Sequence, residues 1–227
     1  MQILKKIHKS LKVRGFWNTI TLIILRFFLK FKFRKFDLWG RFETEDMNVP
    51  DEVRIHANSY QASNLVYFKS LFQDLDWQFK ESSFIDFGCG KGATLVFASN
   101  LGFKKVIGVE FSPELAQTAI VNMQKFSDQH RGKINFEITI IDASQYEIPS
   151  SADCFYFFNP FDGFILDKVL QNILKSLEKY PRKILIVYLN ALHNAVVEKY
   201  KFRKIKYIPR EELDNYYSGG AYVYTND

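Results

Sequence analysis

From residue 83 onward the chain alternates short apolar runs with helical stretches, and this alternation restricts its fold more than any other feature. The runs are SFIDF, KVIGVE, INFEITII, DCFYFF and KILIVYL, and the longer stretches among them are GATLVFASNL, SPELAQTAIVNMQKF and GFILDKVLQNILKSLEKY. Strands alternating with helices predict a mostly parallel sheet with helices on both faces. The runs are continuously apolar rather than alternating in polarity, as strands buried on both sides require. Ser112 stands where the second helix needs a cap, with Pro113 in its first turn, and Pro181 ends the third. A short helix near 191–200 follows. The last two strand-like pieces, FRKIKYI and GGAYVYT, have no strong helix between them and predict an antiparallel edge. Upstream, ASNLVYFKSLFQDL brings Leu65, Phe68, Leu71, Phe72 and Leu75 to one side of a further helix. The expectation is an α/β fold with a sheet of about seven strands. The 227 residues suffice for one sizeable core and not for two ordinary domains.

Charge divides the chain unevenly. Residues 1–41 hold eleven Lys and Arg against one acid, Asp37, whereas the remainder is net acidic. We therefore expect a basic amphipathic N-terminal extension (1–41), a polar linker (40–52) and a main domain (53–227). In the extension, Ile3, Leu4, Ile7 and Leu11 recur at helical spacing among lysines. The apolar run from Phe16 stops at Arg26, short of the ~20 residues of a membrane span, and a basic block follows where a signal peptide would carry small residues. Two readings lead, a helix packed on the domain with its cations solvated or a segment lying on an anionic membrane surface, with a true span and contact with nucleic acid behind them. The acidic main domain argues against a nucleic-acid groove. The two cysteines, Cys89 and Cys154, form neither a metal pattern nor a disulfide framework, which suits a reducing compartment. The expected location is the cytoplasm, with a peripheral hold on the inner face of the membrane under the second reading.

The stretch FIDFGCGKGAT joins the first strand of the alternation to its helix. In open parallel sheets, ligands bind at the carboxyl ends of the strands, and glycines there let backbone approach them. Asp86 stands two residues before Gly88, and Gly92 follows Gly90 one residue sooner than the dinucleotide pattern requires. A diphosphate at this turn would face a like charge, whereas a cationic ligand would find an acceptor in Asp86. The next two strands also end in acids: Glu110, twenty residues after Gly90, and Asp142. The resulting acidic rim favours a cation over a polyanion.

FIDFGCGKGAT, VIGVEFSPE, IIDAS and FYFFNPF together resemble the successive motifs of class I S-adenosylmethionine-dependent methyltransferases, of the small bacterial type and, more distantly, of the non-SET histone-lysine type. The resemblance covers about residues 55–190 and implies a Rossmann-like fold with S-adenosyl-L-methionine as cofactor. It implies that Asp86, Gly88, Cys89 and Gly90 line the methionine end. Glu110 and Phe111 would meet the ribose, and Asp142 and Ala143 the adenine. Tyr60 and Ser63, in HANSYQAS, would fold over the cofactor.

The fourth strand ends in FFNPF, beside the position of the transferable methyl. There Asn159 can accept from an amine or hydroxyl, Pro160 fixes the backbone, and Phe161 presents an aromatic face to a cation. FFNPF resembles the Asn-Pro-Pro-Phe signature of amino-group methyltransferases but lacks its second proline. Of the four histidines, His193 is best placed to act as a base, while His8, His56 and His130 have no evident partner. No cluster has metal-ligand spacing, so no metal is expected. Methyl transfer to an unidentified acceptor is the leading reading. A nicotinamide-dependent oxidoreductase on the same topology and a non-catalytic membrane-associated scaffold are the alternatives. Neither the acceptor nor the oligomeric state can be read from the sequence.

Overall fold

A computed structural model describes residues 10–12, 15–43, 55–213 and 217–227. A first helix, α1 (Phe16–Lys32), is followed by β1 (Arg41–Phe42), β2 (Tyr60–Gln61) and α2 (Leu65–Phe72). The alternating part comprises β3 (Ser83–Phe87), α3 (Ala93–Leu101), β4 (Lys105–Glu110), α4 (Pro113–Gln129), β5 (Phe136–Ile140), β6 (Ala152–Phe157), α5 (Gly163–Lys179) and β7 (Leu185–Leu189). It ends with α6 (Asn194–Glu198), β8 (Arg203–Ile208) and β9 (Ala221–Thr225). The expected repeat Ile3–Ile7 and residues 44–52 of the linker lie outside the described residues.

Seven strands form one sheet in the order β5-β4-β3-β6-β7-β9-β8. The chain enters at β3, winds outward through β4 to β5, then returns to the other side of β3 with β6. The crevice between these two directions is where a ligand is held in such sheets. The expected antiparallel edge is present, with one refinement. The last strand, β9, inserts between β7 and β8 and runs antiparallel to both.

Alternate residues of each central strand enter opposite cores. Phe84, Cys154, Tyr156 and Val187 pack with α2, α3 and α4 on one side. Ile85, Phe87, Phe155, Phe157, Ile186 and Tyr188 pack with α5 and α6 on the other. Ser112 caps α4 as expected, its hydroxyl accepting from the Leu115 N–H. Asp162 caps α5 by accepting from the N–H groups of Phe164 and Ile165.

The end of the basic segment joins the main core. Phe33, Phe36 and Leu38 are buried in it. Asn122 of α4 holds the chain beside them, donating to the carbonyls of Asp37 and Lys91 (both 2.9 Å) and accepting from the Asp37 N–H at 3.1 Å. Arg41–Phe42 then pairs with Tyr60–Gln61 in a small antiparallel ribbon.

Candidate functional site

The turn after β3 is tied to the neighbouring strand, because the N–H groups of Gly88 and Cys89 both donate to the Val109 carbonyl (2.8 and 3.2 Å). Gly88 and Gly90 have φ of +75° and +52°, where a side chain is strained. Neither has room for one. A Cβ on Gly88 would come within 2.5 Å of Pro160 Cβ, and one on Gly90 within 2.1 Å of the Tyr60 ring. The turn is thus clamped between the strand-end proline and an aromatic ring from upstream. Cys89 fills space over Gly108, and burial pushes its thiol well above the ordinary range, so it is not poised as a nucleophile.

Two buried carboxylates flank this turn. Asp86 accepts a short hydrogen bond from the Thr94 hydroxyl. Burial pushes its carboxyl up to about 8, the Thr94 bond opposes the rise, and the charge of Glu110 adds to it. Glu110 accepts from the Gly90 N–H (2.8 Å) with one oxygen and from the Ser112 N–H (3.0 Å) with the other. Burial raises its carboxyl too, while the N–H groups of Ser112, Gly90 and Phe111 draw it back. Glu110 therefore both shapes the turn and keeps lone pairs for a ligand. The third acid, Asp142, caps a short 3-10 turn by accepting from the Ser144 N–H at 2.8 Å.

Two adjoining hollows open at these strand ends. One, of about 530 Å3, is lined by Tyr60, Ser63, Asp86, Glu110, Phe158 and Asn159, among others. The second, of about 480 Å3, is more apolar and is lined by Val109, Ile141, Asp142, Ala143 and Phe161, with His56 at its side. Gly88, Phe111 and Pro160 belong to both, so the two form one continuous groove. A polar half beside buried acids and a more apolar half suit a ligand with a cationic amino-acid end and an aromatic base. A carboxylate at Glu110, joined by that of Asp86 once it ionises, disfavours a diphosphate there.

Of the residues expected to hold the cofactor, Tyr60, Ser63, Asp86, Gly88, Cys89, Glu110, Phe111, Asp142, Ala143 and Asn159 all line the groove. Gly90 does not, because the Tyr60 ring covers it. Of the expected catalytic residues, Asn159, Pro160 and Phe161 line the groove and His193 does not. His193 begins α6, where its N–H donates to the Tyr188 hydroxyl at 3.4 Å, and its ring lies beside Gly163. It is the residue that starts this short helix, set back from the groove's lining.

Sequence reasoning missed the strap at residues 56–58. His56, read as partnerless, meets Asp162 at 2.7 Å, and its carbonyl accepts from the Asp162 N–H at 3.0 Å. His130 also has a partner, the Phe126 carbonyl at 2.8 Å. Ala57 bridges to Phe161. The Asn58 N–H donates to the Pro160 carbonyl at 3.1 Å, and its side chain donates to the Asn159 carbonyl at 2.9 Å. The strap is thereby laced onto the turn after β6. A polar HANS segment separated by a hundred residues from the turn it meets carries no local signal of that pairing. Among the described residues no group of His, Cys, Asp and Glu could hold a metal ion.

Comparison with known proteins agrees with this geometry. Residues 85–182 match the family described as "Methyltransferase domain". The ribosomal protein L11 methyltransferase of Colwellia psychrerythraea is 37% identical over 46 residues, a stretch covering 20% of this chain and 16% of that relative. Two solved structures share the fold at a TM-score of 0.50. One is an RNA methyltransferase from Salinibacter ruber in complex with S-adenosyl-L-homocysteine, at 15% identity over 72% of this chain and 92% of that one. The other is a candidate RNA methyltransferase from Pyrococcus horikoshii, at 18% identity over 88% and 94%. The match to a methyltransferase domain thus falls on the residues that build the groove, and the fold is shared with a solved methyltransferase that holds S-adenosyl-L-homocysteine, which accords with S-adenosylmethionine as the cofactor.

Proposed function

We propose that this protein transfers a methyl group from S-adenosylmethionine to an oxygen atom of its acceptor, at the turn formed by Asn159, Pro160 and Phe161. The donor half of this reading rests on the buried pair Asp86 and Glu110 beside a glycine turn that has no space for side chains. When bound, the cofactor supplies a methyl group on a positively charged sulfur, a leaving group that needs no protonation. Asp86 would accept from its ammonium, Glu110 from its ribose hydroxyls, and Asp142 and Ala143 would hold its adenine. Holding donor and acceptor in line then supplies much of the rate.

The single observation that carries the acceptor class is the hydrogen bonding of Asn159. Its backbone carbonyl and that of Pro160 are both engaged by Asn58. Its side-chain Oδ1 accepts from the Tyr188 hydroxyl at 3.1 Å. The oxygen of Tyr188 takes the His193 N–H, so its own proton is directed to Asn159, which fixes the amide orientation. The Nδ2 group is then left as the polar group of Asn159 available to the groove, and it is a donor. A neutral amine has a single lone pair and cannot both accept from Nδ2 and attack, whereas an oxygen can accept from Nδ2 and attack with another lone pair. An acceptor that arrives deprotonated, such as a carboxylate or phenolate, also needs no base. The oxygen can belong to a protein, a metabolite or a lipid-linked group.

Two measurements test this. Calorimetric titration with S-adenosylhomocysteine and with NAD(H) should show binding of the first alone; binding of NAD(H) alone overturns the reading. Labelled methyl transfer to protein, RNA, lipid and small-molecule fractions should then give a product whose label is released by mild alkali (an ester) or retained as an ether. Label recovered on an amine nitrogen overturns the oxygen assignment while leaving the methyltransferase assignment intact.

A further inference from the structure

We infer that α1 seats this protein on an anionic membrane surface, its outer side lying among the lipid headgroups and its inner side holding the catalytic domain. This inference does not depend on the acceptor. The inner side of the helix is committed to the protein. Thr19 is buried, Leu29 packs on the core, and the Arg26 guanidinium reaches the Tyr67 hydroxyl at 3.4 Å. Phe33 and Phe36, just past the helix end, lock it in place.

The outer side is different in kind. Phe16, Trp17, Ile23, Ile24, Phe27, Phe28 and Phe31 are exposed, Trp17 and Phe27 by 78% and 76%. They follow one another at helical spacing along the side of α1 turned away from the domain. Scattered apolar residues on a surface need no explanation, but a contiguous stripe of aromatic and branched side chains marks an interaction site.

Charge selects the partner. Lys30 and Lys32 stand in the last turn of the helix, which holds no acid, and Arg34 and Lys35 follow it. The Arg34 guanidinium lies 4.0 Å from the centre of the exposed Phe31 ring, so a cation and an apolar anchor are held side by side. Aromatic rings flanked by cations are what the headgroup level of an anionic bilayer attracts. A second copy of this chain would bring the same cations against these ones and is the less favourable occupant. The helix has 17 residues, and no helix among the described residues is long and apolar enough to cross a membrane. The arrangement is therefore one of lying on the surface.

The test uses the full chain and vesicles of phosphatidylcholine alone or mixed with phosphatidylglycerol. The protein should sediment with the mixed vesicles at least ten times more than with the neutral ones, and less as salt rises. Tryptophan emission should shift to the blue on binding, and Trp17→Phe should remove the shift, since Trp39 and Trp77 are already partly buried. Ile24→Asp combined with Phe27→Asp should abolish sedimentation without lowering the melting temperature, because both side chains are exposed. Failure of the full chain to sediment, or equal sedimentation of the double variant, overturns the inference. It is also overturned if light scattering shows a dimer that the double variant dissolves, because the stripe would then be an interface between copies.

Discussion

The ring of Tyr60 lies so close to Gly90 that a methyl group on residue 90 would fall within 2.1 Å of ring carbons Cδ2 and Cε2. The same tyrosine donates its hydroxyl to the Leu38 carbonyl at 3.0 Å. A residue of β2 therefore joins the cofactor turn to the end of the basic N-terminal segment. Lys91, next along the turn, repeats the connection by pairing with Asp37 at 2.9 Å.

Gly90→Ala should consequently damage both stability and cofactor binding. The left-handed backbone alone costs an alanine about 1–2 kcal/mol, and Tyr60 must also move. We expect a lower melting temperature and at least a tenfold weaker affinity for S-adenosylhomocysteine by calorimetry. Unchanged affinity would show that the ring and the turn are not parts of one site.

Asp86 gives the site a pH dependence with a definite sign. Its folded-state carboxyl, at about 8, lies far above the ordinary value of 3.8, so the folded chain holds a proton that the unfolded chain releases. Its contribution to stability therefore falls as pH rises from about 4 and levels off above about 8. A ligand ammonium requires the carboxylate, so affinity should climb with pH, by up to about tenfold per unit, and flatten near pH 8. Asp86→Asn should abolish that slope and weaken binding, while raising the melting temperature more at pH 8 than at pH 5. Calorimetry and thermal melts across this range check both halves.

Asn122 is a third point of leverage, because its buried amide makes three hydrogen bonds that hold residues 37 and 91 together. Asn122→Ala removes the partners of part-buried backbone groups at Asp37 and Lys91, at about 1 kcal/mol for each such bond. The expected result is a clear drop in melting temperature. Cofactor affinity should fall with it, because Tyr60 loses the firm placement of Leu38. A variant that melts lower but binds normally would separate the N-terminal segment from the site.

The sheet was legible in the sequence because its signals are local. SFIDF became β3 to the residue, KVIGVE became β4, and Ser112 capped α4 as its position implied. Acids at strand ends were legible for the same reason, since the strand's end and the residue type are both read within a few positions. Three features were not. The insertion of β9 between β7 and β8 depends on pairing between distant strands. The lacing of Asn58 to Asn159 and Pro160 spans about a hundred residues and uses mostly backbone groups, which every sequence supplies. The burial of Phe33, Phe36 and Leu38 in the main core lies at the end of a segment whose cations suggested a separate extension. For His193, proximity to a strand end says nothing about which way a helix-start ring faces.

On the proposed mechanism Tyr188 acts through Asn159, as a positioning residue. Its hydroxyl links the His193 N–H to Asn159 Oδ1, and the side chain is otherwise packed in the core. Tyr188→Phe keeps the ring and removes the link, so the fold should lose about 1 kcal/mol. With its oxygen released, the Asn159 amide can rotate and no longer presents Nδ2 consistently to the groove. The turnover number should fall about tenfold, with the KM for S-adenosylmethionine nearly unchanged, because the methionine and adenine ends are held elsewhere. A merely structural role would lower stability without this split. Asn159→Asp should be more harmful still, because a carboxylate offers the acceptor oxygen a like charge in place of a donor. Steady-state kinetics of both variants, compared with their thermal melts, decide the matter: equal activity of Asn159→Asp and the parent protein would remove the donor from the mechanism.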